Sequence, residues 1–279
     1  MVYKKKNKRK QNKKQNKRQQ NQRKQNKRKQ NQRKRNRRER NIDLSILNQY
    51  FDKIYVINLK KDKEKWKRTS RKLNRLKIRY VRFNAVNGKK YIKQFKNIKK
   101  TLWNNWEIEN KRQIISSPGI YGCILSHQKI INDAKINNYR RILIFEDDIF
   151  YHKNIEKMQR DMIRILDMEW KLIYLGGSQH RWTNVLIQNG YYYANKTNGT
   201  FAYGIDMSIY DEILELIKHP KYPIDYYYNS YFQKKYLCPV IYPQLFIADL
   251  YHSGLNPIKN KVNLRRKFKK LKWNYKKYV

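Results

Sequence analysis

Residues 141–148 read Arg141-Ile-Leu-Ile-Phe-Glu-Asp-Asp148, a run of four apolar residues that stops on three carboxylates. An apolar run of this length predicts a strand buried on both faces, which is typical of a parallel sheet. Open α/β sheets bind their ligands just beyond the carboxyl ends of such strands. Adjacent buried carboxylates repel one another and lose hydration, so a hard divalent cation is their natural counterion. Glu146, Asp147 and Asp148 are therefore predicted to form a metal and diphosphate site, with a solvated turn as the alternative.

Strand and helix patterns alternate on both sides of this stretch. Strands are predicted over 53–59, 79–83, 172–175 and 201–207, and helices over 62–76, 122–137, 154–165 and 208–217. Predicted N-caps are Asp62, Asn154 and Ser208, and Asn189-Gly190 predicts a hairpin. Residues 89–115 show no clear pattern. Repeated βα units predict an α/β fold with a mainly parallel, doubly wound sheet and an antiparallel excursion near the hairpin.

The first 40 residues differ sharply from the rest. The whole chain has 67 Lys and Arg against 21 Asp and Glu, a formal net charge of +46, and residues 1–40 hold 21 of the basic residues and one acid. Residues 15–24 and 25–34 are a duplication that differs only at Gln19 and Lys29. Since residues 4–40 contain no apolar side chain, this tail is predicted to be disordered. The predicted division is a tail at 1–40, one domain at 41–258 and a basic C-terminal segment at 259–279.

The two basic ends have more than one interpretation. The tail is expected to attract polyanions such as nucleic acid or anionic membrane, or else to act as a solubilising extension. The C-terminal segment has ten basic residues, with Leu264, Phe268, Leu271 and Tyr275 on one helical face. That face predicts either a membrane-binding helix or packing onto the domain. Two distant cysteines, Cys123 and Cys238, and the lack of a signal peptide or membrane span favour a reducing, cytoplasmic location.

Six segments taken together resemble glycosyltransferase family 25. They are, in chain order, IYVINL at 54–59, the basic helix through Arg68, FNAVNG at 83–88, SPGIYGCILSH at 117–127, LIFEDD at 143–148 and PID at 223–225. This family includes bacterial lipooligosaccharide galactosyltransferases and collagen hydroxylysine galactosyltransferases. Lys65 stands where many members carry an arginine. The repetitive tail and the composition resemble those of giant DNA virus proteins, which would place the protein in host cytoplasm or a virion.

The resemblance implies a GT-A-like fold, a UDP-sugar donor, manganese or magnesium, and inversion at the anomeric carbon. It implies that Asp148 and Asp147 bind the metal and that Glu146 supports the ribose or the metal. Gly122, Ser126 and His127 match a family stretch expected near the donor. Arg68 is expected to face the diphosphate or to lie on a solvated helix side, and His252 to be a late metal ligand or a surface histidine.

An inverting transfer also needs a carboxylate near the acceptor hydroxyl as a general base. Asp225 is predicted for that role, with a turn or capping aspartate as the alternative; it precedes Tyr226–Tyr228, aromatic rings that could hold a sugar. The expected reaction is transfer of galactose or glucose to a glycan or a hydroxylysine-type protein acceptor. The main alternative is a polyanion-binding protein with a degenerate transferase domain. A metal-dependent nuclease or phosphatase is less favoured, because the sequence shows no clustered histidines.

Overall fold

The computed structural model of the protein describes residues 20–27, 30, 42–102, 114–255 and 257–279. The chain divides into two units, Met1–Ile42 and Asp43–Val279. Residues 20–27 form a helix whose residues are all exposed, where the sequence predicted disorder. Lysine, arginine and glutamine have high helix propensities, which favours a helix in this stretch. The rest of the predicted disordered tail, apart from Gln30, lies outside the described residues.

The second unit alternates strands and helices. Its strands are β1 Lys53–Asn58, β2 Val81–Asn84, β3 Arg141–Glu146, β4 Ile149–Tyr151, β5 Leu172–Gln179, β6 Tyr191–Tyr193, β7 Thr197–Asp206, β8 Pro239–Ile241 and β9 Phe246–Ala248. Its α-helices are α1 Leu47–Tyr50, α2 Lys63–Arg75, α3 Ile92–Leu102, α4 Pro118–Ile136, α5 Gln159–Leu166, α6 Tyr210–Leu216, α7 Ile224–Tyr227, α8 Gln233–Lys235 and α9 Lys261–Lys270. Short 3₁₀ turns cover Gly88–Tyr91, Ile155–Met158, Met207–Ile209 and Tyr275–Lys277, and Tyr228–Phe232 is π-helical.

Seven strands form one sheet in the order β2-β1-β3-β7-β5-β8-β6, and β4 pairs with β9 beside it. The strand pairings make β1, β2, β3, β5 and β8 run in one direction and β6 and β7 in the other. The predicted mainly parallel α/β fold is therefore confirmed. The tight turn at Asn189-Gly190 is also present, with φ values of 46° and 80° that suit a two-residue hairpin turn. The sequence did not predict that β7 lies antiparallel between β3 and β5.

The central strand β3 is buried on both faces, as its apolar run predicts. Ile142 and Ile144 belong to the cluster of buried residues that includes Ile124 and Ile131 of α4. The alternate residue Phe145 packs edge-on against Phe246, with 4.9 Å between ring centroids. Because both faces are covered, the polar residues of this strand lie at its two ends, Arg141 and Glu146.

Helix α4 begins four residues before its predicted start at Gly122. Pro118 occupies its first turn, and the Ser117 side chain accepts a hydrogen bond from Ile120 N at 3.3 Å. Proline suits the first helical turn, where its missing N–H needs no intrahelical partner. The added turn contains proline and glycine, so its apolar period is too weak to extend the predicted helix.

The predicted helix caps are only partly correct. Asp62 and Asn154 precede helical turns, yet neither side chain makes a capping hydrogen bond. Ser208 lies inside a 3₁₀ turn, and Asp206 caps that turn by accepting from Ser208 N at 3.1 Å. The strand reaches Asp206, which moves the cap two residues toward the N-terminus.

The C-terminal basic segment packs on the rest of the second unit. Phe268, Leu271 and Trp273 are buried, and Val279 N donates to Tyr151 O at 3.0 Å. Tyr275 remains exposed. Of the two interpretations of the apolar face, packing onto the domain explains why Phe268 and Leu271 are buried. Within the described part of the chain, no helix has both the length and the apolar character needed to cross a membrane.

Candidate functional site

The three predicted carboxylates lie together where β3 ends. Glu146 is the last residue of β3, and Asp147 and Asp148 form the link to β4. Strand β1 runs parallel to β3 with Ile57 opposite Glu146, so Asn58 comes next at the same edge. The carboxyl ends of parallel neighbours thus meet here, which is the position where open α/β sheets bind ligands.

Asp147 is held by residues of β1 and α2. Its Oδ2 accepts from Asn58 Nδ2 at 2.5 Å, and its backbone oxygen accepts from Thr69 Oγ1 at 2.7 Å. Lys65 Nζ lies 3.4 Å from Asp147 Oδ1 and 3.6 Å from Asp148 Oδ2. Helix α2 therefore presents Lys65 and Thr69, one turn apart, to the acidic link.

Asp148 has a fourth carboxylate as its neighbour. Asp249 N donates to Asp148 O at 2.6 Å, and Asp249 is buried. The Asp249 side chain accepts from His252 Nδ1 at 2.7 Å. The predicted metal ligand His252 thus lies beside the cluster but bonds to Asp249, and its side chain is about half exposed.

The cluster holds more negative charge than the protein neutralises. Burial and the charge of Asp148 raise the pKa of Glu146 to about 8, although Thr200 Oγ1 donates to Glu146 Oε1 at 2.8 Å. Burial raises the pKa of Asp148 to about 6, against the opposing effect of Lys65. Burial also raises the pKa of Asp147. Burial acts to lower the pKa of Lys65, but the charges of Asp148 and Asp147 outweigh it, so this pKa is raised.

This excess charge fits a hard divalent cation. Glu146, Asp147 and Asp148 offer only oxygen atoms, the ligands that magnesium and manganese take. A bound dication would favour the ionised form of all three carboxyls and so offset the burial that raises their pKa values. The residues present therefore suit the metal that the sequence predicts.

Asp225 lies within electrostatic range of the same strand end. It is the second residue of α7, and its charge contributes to the raised pKa of Glu146. Burial raises the pKa of Asp225, while hydrogen bonds from the backbone of Gly199 and Tyr226 oppose that shift. The predicted base and the predicted metal site are thus brought together, and the backbone bonds also fit the alternative of a turn aspartate.

Gly122 and Ser126 attach α4 to the FNAVNG segment. A Cβ on Gly122 would come within 2.5 Å of Val86 O. Ser126 Oγ donates to Gly122 O at 2.7 Å and accepts from Val86 N at 2.8 Å. Both residues therefore have a structural explanation, and their predicted contact with a donor stays a prediction.

His127 is fully buried on α4. Its Nδ1 lies 2.8 Å from the hydroxyl of Tyr203, and burial lowers its pKa to about 3. The imidazole is therefore neutral. A ligand atom of His127 lies within 4.8 Å of one from Cys123 and one from Glu146, so His127 does border the acidic strand end.

Arg68 lies on an exposed position of α2, one residue before the inward-facing Thr69. Burial lowers the pKa of Lys72 to about 8 against the opposing effect of Asp249, and the charge of Arg68 adds to the lowering. Lys72 Nζ donates to Ile149 O at 2.7 Å, close to the acidic link. The solvated-side interpretation describes Arg68 in this structure, and a diphosphate contact stays a prediction.

Sequence reasoning missed Asn58, Thr69, Thr200 and Asp249. Asn58 could have been found, since it ends the strand parallel to β3. Asp249 could have been found in the IADL stretch that precedes His252. Thr69 and Thr200 had no local signal, because only the packing of α2 and the pairing of β7 bring them to the carboxylates.

The raised pKa of Glu146 predicts a pH-dependent stability. At pH values between the ordinary pKa of glutamate, near 4.5, and the raised pKa of about 8, Glu146 holds a proton in the folded state that it has lost in the unfolded state. The free energy of unfolding should therefore fall as pH rises through this window, by up to about 1.4 kcal/mol per pH unit. In Glu146→Gln, most of the slope between pH 6 and 8 should disappear. Urea unfolding with a chelator at both pH values measures it.

Glu169→Gln, a change at an exposed carboxylate, is the control for this experiment and should keep the wild-type slope. An unchanged slope in Glu146→Gln would show that Glu146 ionises normally in the folded protein.

The α/β sheet and the largely buried carboxylates where β3 ends are compatible with a GT-A-like glycosyltransferase fold. The chain belongs to glycosyltransferase family 25: the family model, described as "Glycosyltransferase family 25 (LPS biosynthesis protein)", matches residues 51–228. That range contains Glu146, Asp147, Asp148 and Asp225 and ends before Asp249.

Several animal proteins are similar to part of this chain. Procollagen galactosyltransferase 2 of Mus musculus is 29% identical over 134 residues, which cover 45% of this chain and 21% of that protein. The Homo sapiens protein of the same name is 29% identical over 130 residues, with the same coverage. Inactive glycosyltransferase 25 family member 3 of Mus musculus is 27% identical over 134 residues, or 46% of this chain and 22% of that protein. The chain spans about a fifth of the length of these relatives.

Proposed function

We propose that the domain is an inverting, metal-dependent glycosyltransferase that moves galactose or glucose from a UDP-sugar to a glycan or a hydroxylysine-type protein acceptor. The observation that carries the proposal is the largely buried group of Glu146, Asp147 and Asp148 with Asp225 in electrostatic range. This group lies at the ligand-binding edge of the sheet. Two of the similar proteins are named galactosyltransferases, which supports the choice of hexose.

The proposed metal ligands are Asp148 and Asp147, with Glu146 in support. When bound, a Mn²⁺ or Mg²⁺ ion would neutralise the charge that develops on the leaving diphosphate. Lys65 already pairs with Asp147 and Asp148 and so fixes both side chains at the strand end. Asn58 holds Asp147 from the side of β1. These contacts orient the carboxylates before a ligand arrives.

Asp225 is the proposed general base. Its raised pKa makes its carboxylate a better proton acceptor than an ordinary aspartate. The backbone hydrogen bonds to Asp225 fix its direction. Proton removal from the acceptor hydroxyl would then accompany attack on the anomeric carbon from the face opposite the diphosphate.

Hydrolysis of a panel of nucleotide sugars by the full chain, with manganese, tests the donor assignment. UDP-galactose or UDP-glucose should be cleaved fastest, and a chelator should stop the reaction. Equal, metal-independent release from every donor, or no release at all, would contradict the proposal.

A polyanion-binding protein with an inactive domain is the second candidate. Its support is the 21 basic residues among positions 1–40, and one of the similar proteins is named inactive. For both candidate functions we place the protein in a reducing cytoplasm. If the source is viral, this would be the cytoplasm of the host cell, or the protein would be part of the virion. The two free cysteines, Cys123 and Cys238, agree with that setting.

Deleting residues 1–40 separates the two candidates. Because the tail has no apolar face, the deletion should leave the melting temperature and donor hydrolysis nearly unchanged. Retention on immobilised RNA or DNA at low salt should fall strongly, since fewer phosphate contacts release fewer counterions. Misfolding or lost hydrolysis would show that the domain begins before residue 41.

Deleting only residues 25–34 is the matched control. This repeat carries five of the 21 basic residues of the tail, so the salt dependence of retention should change by a smaller step.

A further inference from the structure

Three side chains of different ligand chemistry meet next to the acidic strand end. Cys123 and His127 lie four residues apart on α4, so they share one face of the helix. Glu146 comes from β3. One ligand atom from each of the three residues lies within 4.8 Å of the others. Sulfur, nitrogen and oxygen donors are thus gathered in one place, partly shielded from water.

His127 supplies an unused donor atom. Its Nδ1 is engaged with the Tyr203 hydroxyl, while its buried Nε2 has no hydrogen-bond partner among the described residues. A buried polar atom without a partner destabilises the folded protein, so a ligand bound at Nε2 would remove that cost. A neutral imidazole fixed by a hydrogen bond on one nitrogen is the form that coordinates metals through the other.

From this geometry we infer that Cys123, His127 and Glu146 bind a thiophilic transition-metal ion such as Zn²⁺. Thiolate and imidazole select zinc and related ions, whereas the all-oxygen pair Asp147 and Asp148 suits manganese or magnesium. The strand end then has two neighbouring cation sites of different preference. Glu146 belongs to both.

The site closes by a small movement. Zinc bonds of about 2.0–2.3 Å in a tetrahedron place ligand atoms roughly 3.3–3.8 Å apart, so the ligand atoms, now within 4.8 Å of one another, need to approach by at most about 1.5 Å. Binding releases the Cys123 thiol proton and the Glu146 carboxyl proton to solvent, and it leaves a fourth position for water. The inference does not depend on sugar transfer, because it rests on the donor atoms alone.

Cobalt(II) is the probe for the full chain, since it takes zinc sites and shows a thiolate-to-metal charge-transfer band when a cysteine binds it. The wild-type protein should bind one ion per chain with this band. Cys123→Ser should abolish the band. Cys238→Ser is the matched control, because Cys238 is the other cysteine of the chain and should leave the band intact. His127→Asn should weaken cobalt binding.

Asp148→Asn distinguishes this site from the proposed diphosphate site. It should keep the cobalt band while losing binding of manganese with UDP. The inference is overturned if the wild-type protein gives no band at saturating cobalt, or if the band survives in Cys123→Ser. Loss of the band in Asp148→Asn would also overturn it, because the two sites would then be one.

Discussion

Asp148→Asn should lower sugar transfer by about 10³-fold or more while leaving the protein folded. A cation that contributes several kcal/mol of transition-state stabilisation accounts for a loss of this size. The amide keeps the shape of the side chain but lacks the charge that holds the ion. Calorimetric titration of manganese with UDP should show binding abolished.

The same substitution should not destabilise the metal-free protein. The pKa of Asp148 is raised to about 6, so its ionised form is disfavoured by folding at neutral pH. Lys65 retains Asp147, 3.4 Å away, as an ion-pair partner. We therefore expect a melting temperature at pH 8 equal to or above that of the wild type.

Asp211→Asn is the control, since Asp211 is an exposed carboxylate on α6 that pairs with Lys135. It should change neither activity nor metal binding. Unchanged manganese affinity and transfer in Asp148→Asn would remove Asp148 from the metal site and with it the proposed chemistry.

Asp225→Asn should depress transfer by about 10²–10⁴-fold, the usual scale of general base catalysis. The amide oxygen can still accept the backbone hydrogen bonds that Asp225 receives from Gly199 and Tyr226. Binding of manganese with UDP should be nearly unchanged, because its proposed ligands are on the β3–β4 link. Steady-state kinetics over acceptor concentration, with a melting curve, measures these effects.

Three outcomes distinguish the roles of Asp225. Lost turnover at saturating acceptor supports the base. A raised acceptor Michaelis constant with turnover kept indicates binding of the acceptor alone. A lowered melting temperature with normal turnover indicates the turn aspartate that the backbone contacts also fit. Asp161→Asn, at an exposed residue paired with Arg164, is the control.

The order of elements was predictable from the sequence because it depends on consecutive residues. The apolar run of Ile142–Phe145 is fully buried as predicted, and the Asn189-Gly190 turn forms where its residues favour positive φ. The α4 start and the Asp206 cap were missed because proline, glycine and short polar residues give weak periodic signals. These errors moved the ends of elements without changing the fold class.

Within the site, the sequence by itself determined the carboxylates that follow β3, because they are adjacent in the chain. Only the tertiary structure decided what surrounds them. Asn58 is 89 residues from Asp147, and Lys65 is 82 residues away. Thr200 reaches Glu146 across 54 residues, because β7 runs antiparallel beside β3. Hydrophobic period and turn chemistry are local, whereas such contacts depend on strand order and helix packing, which no short stretch of sequence encodes.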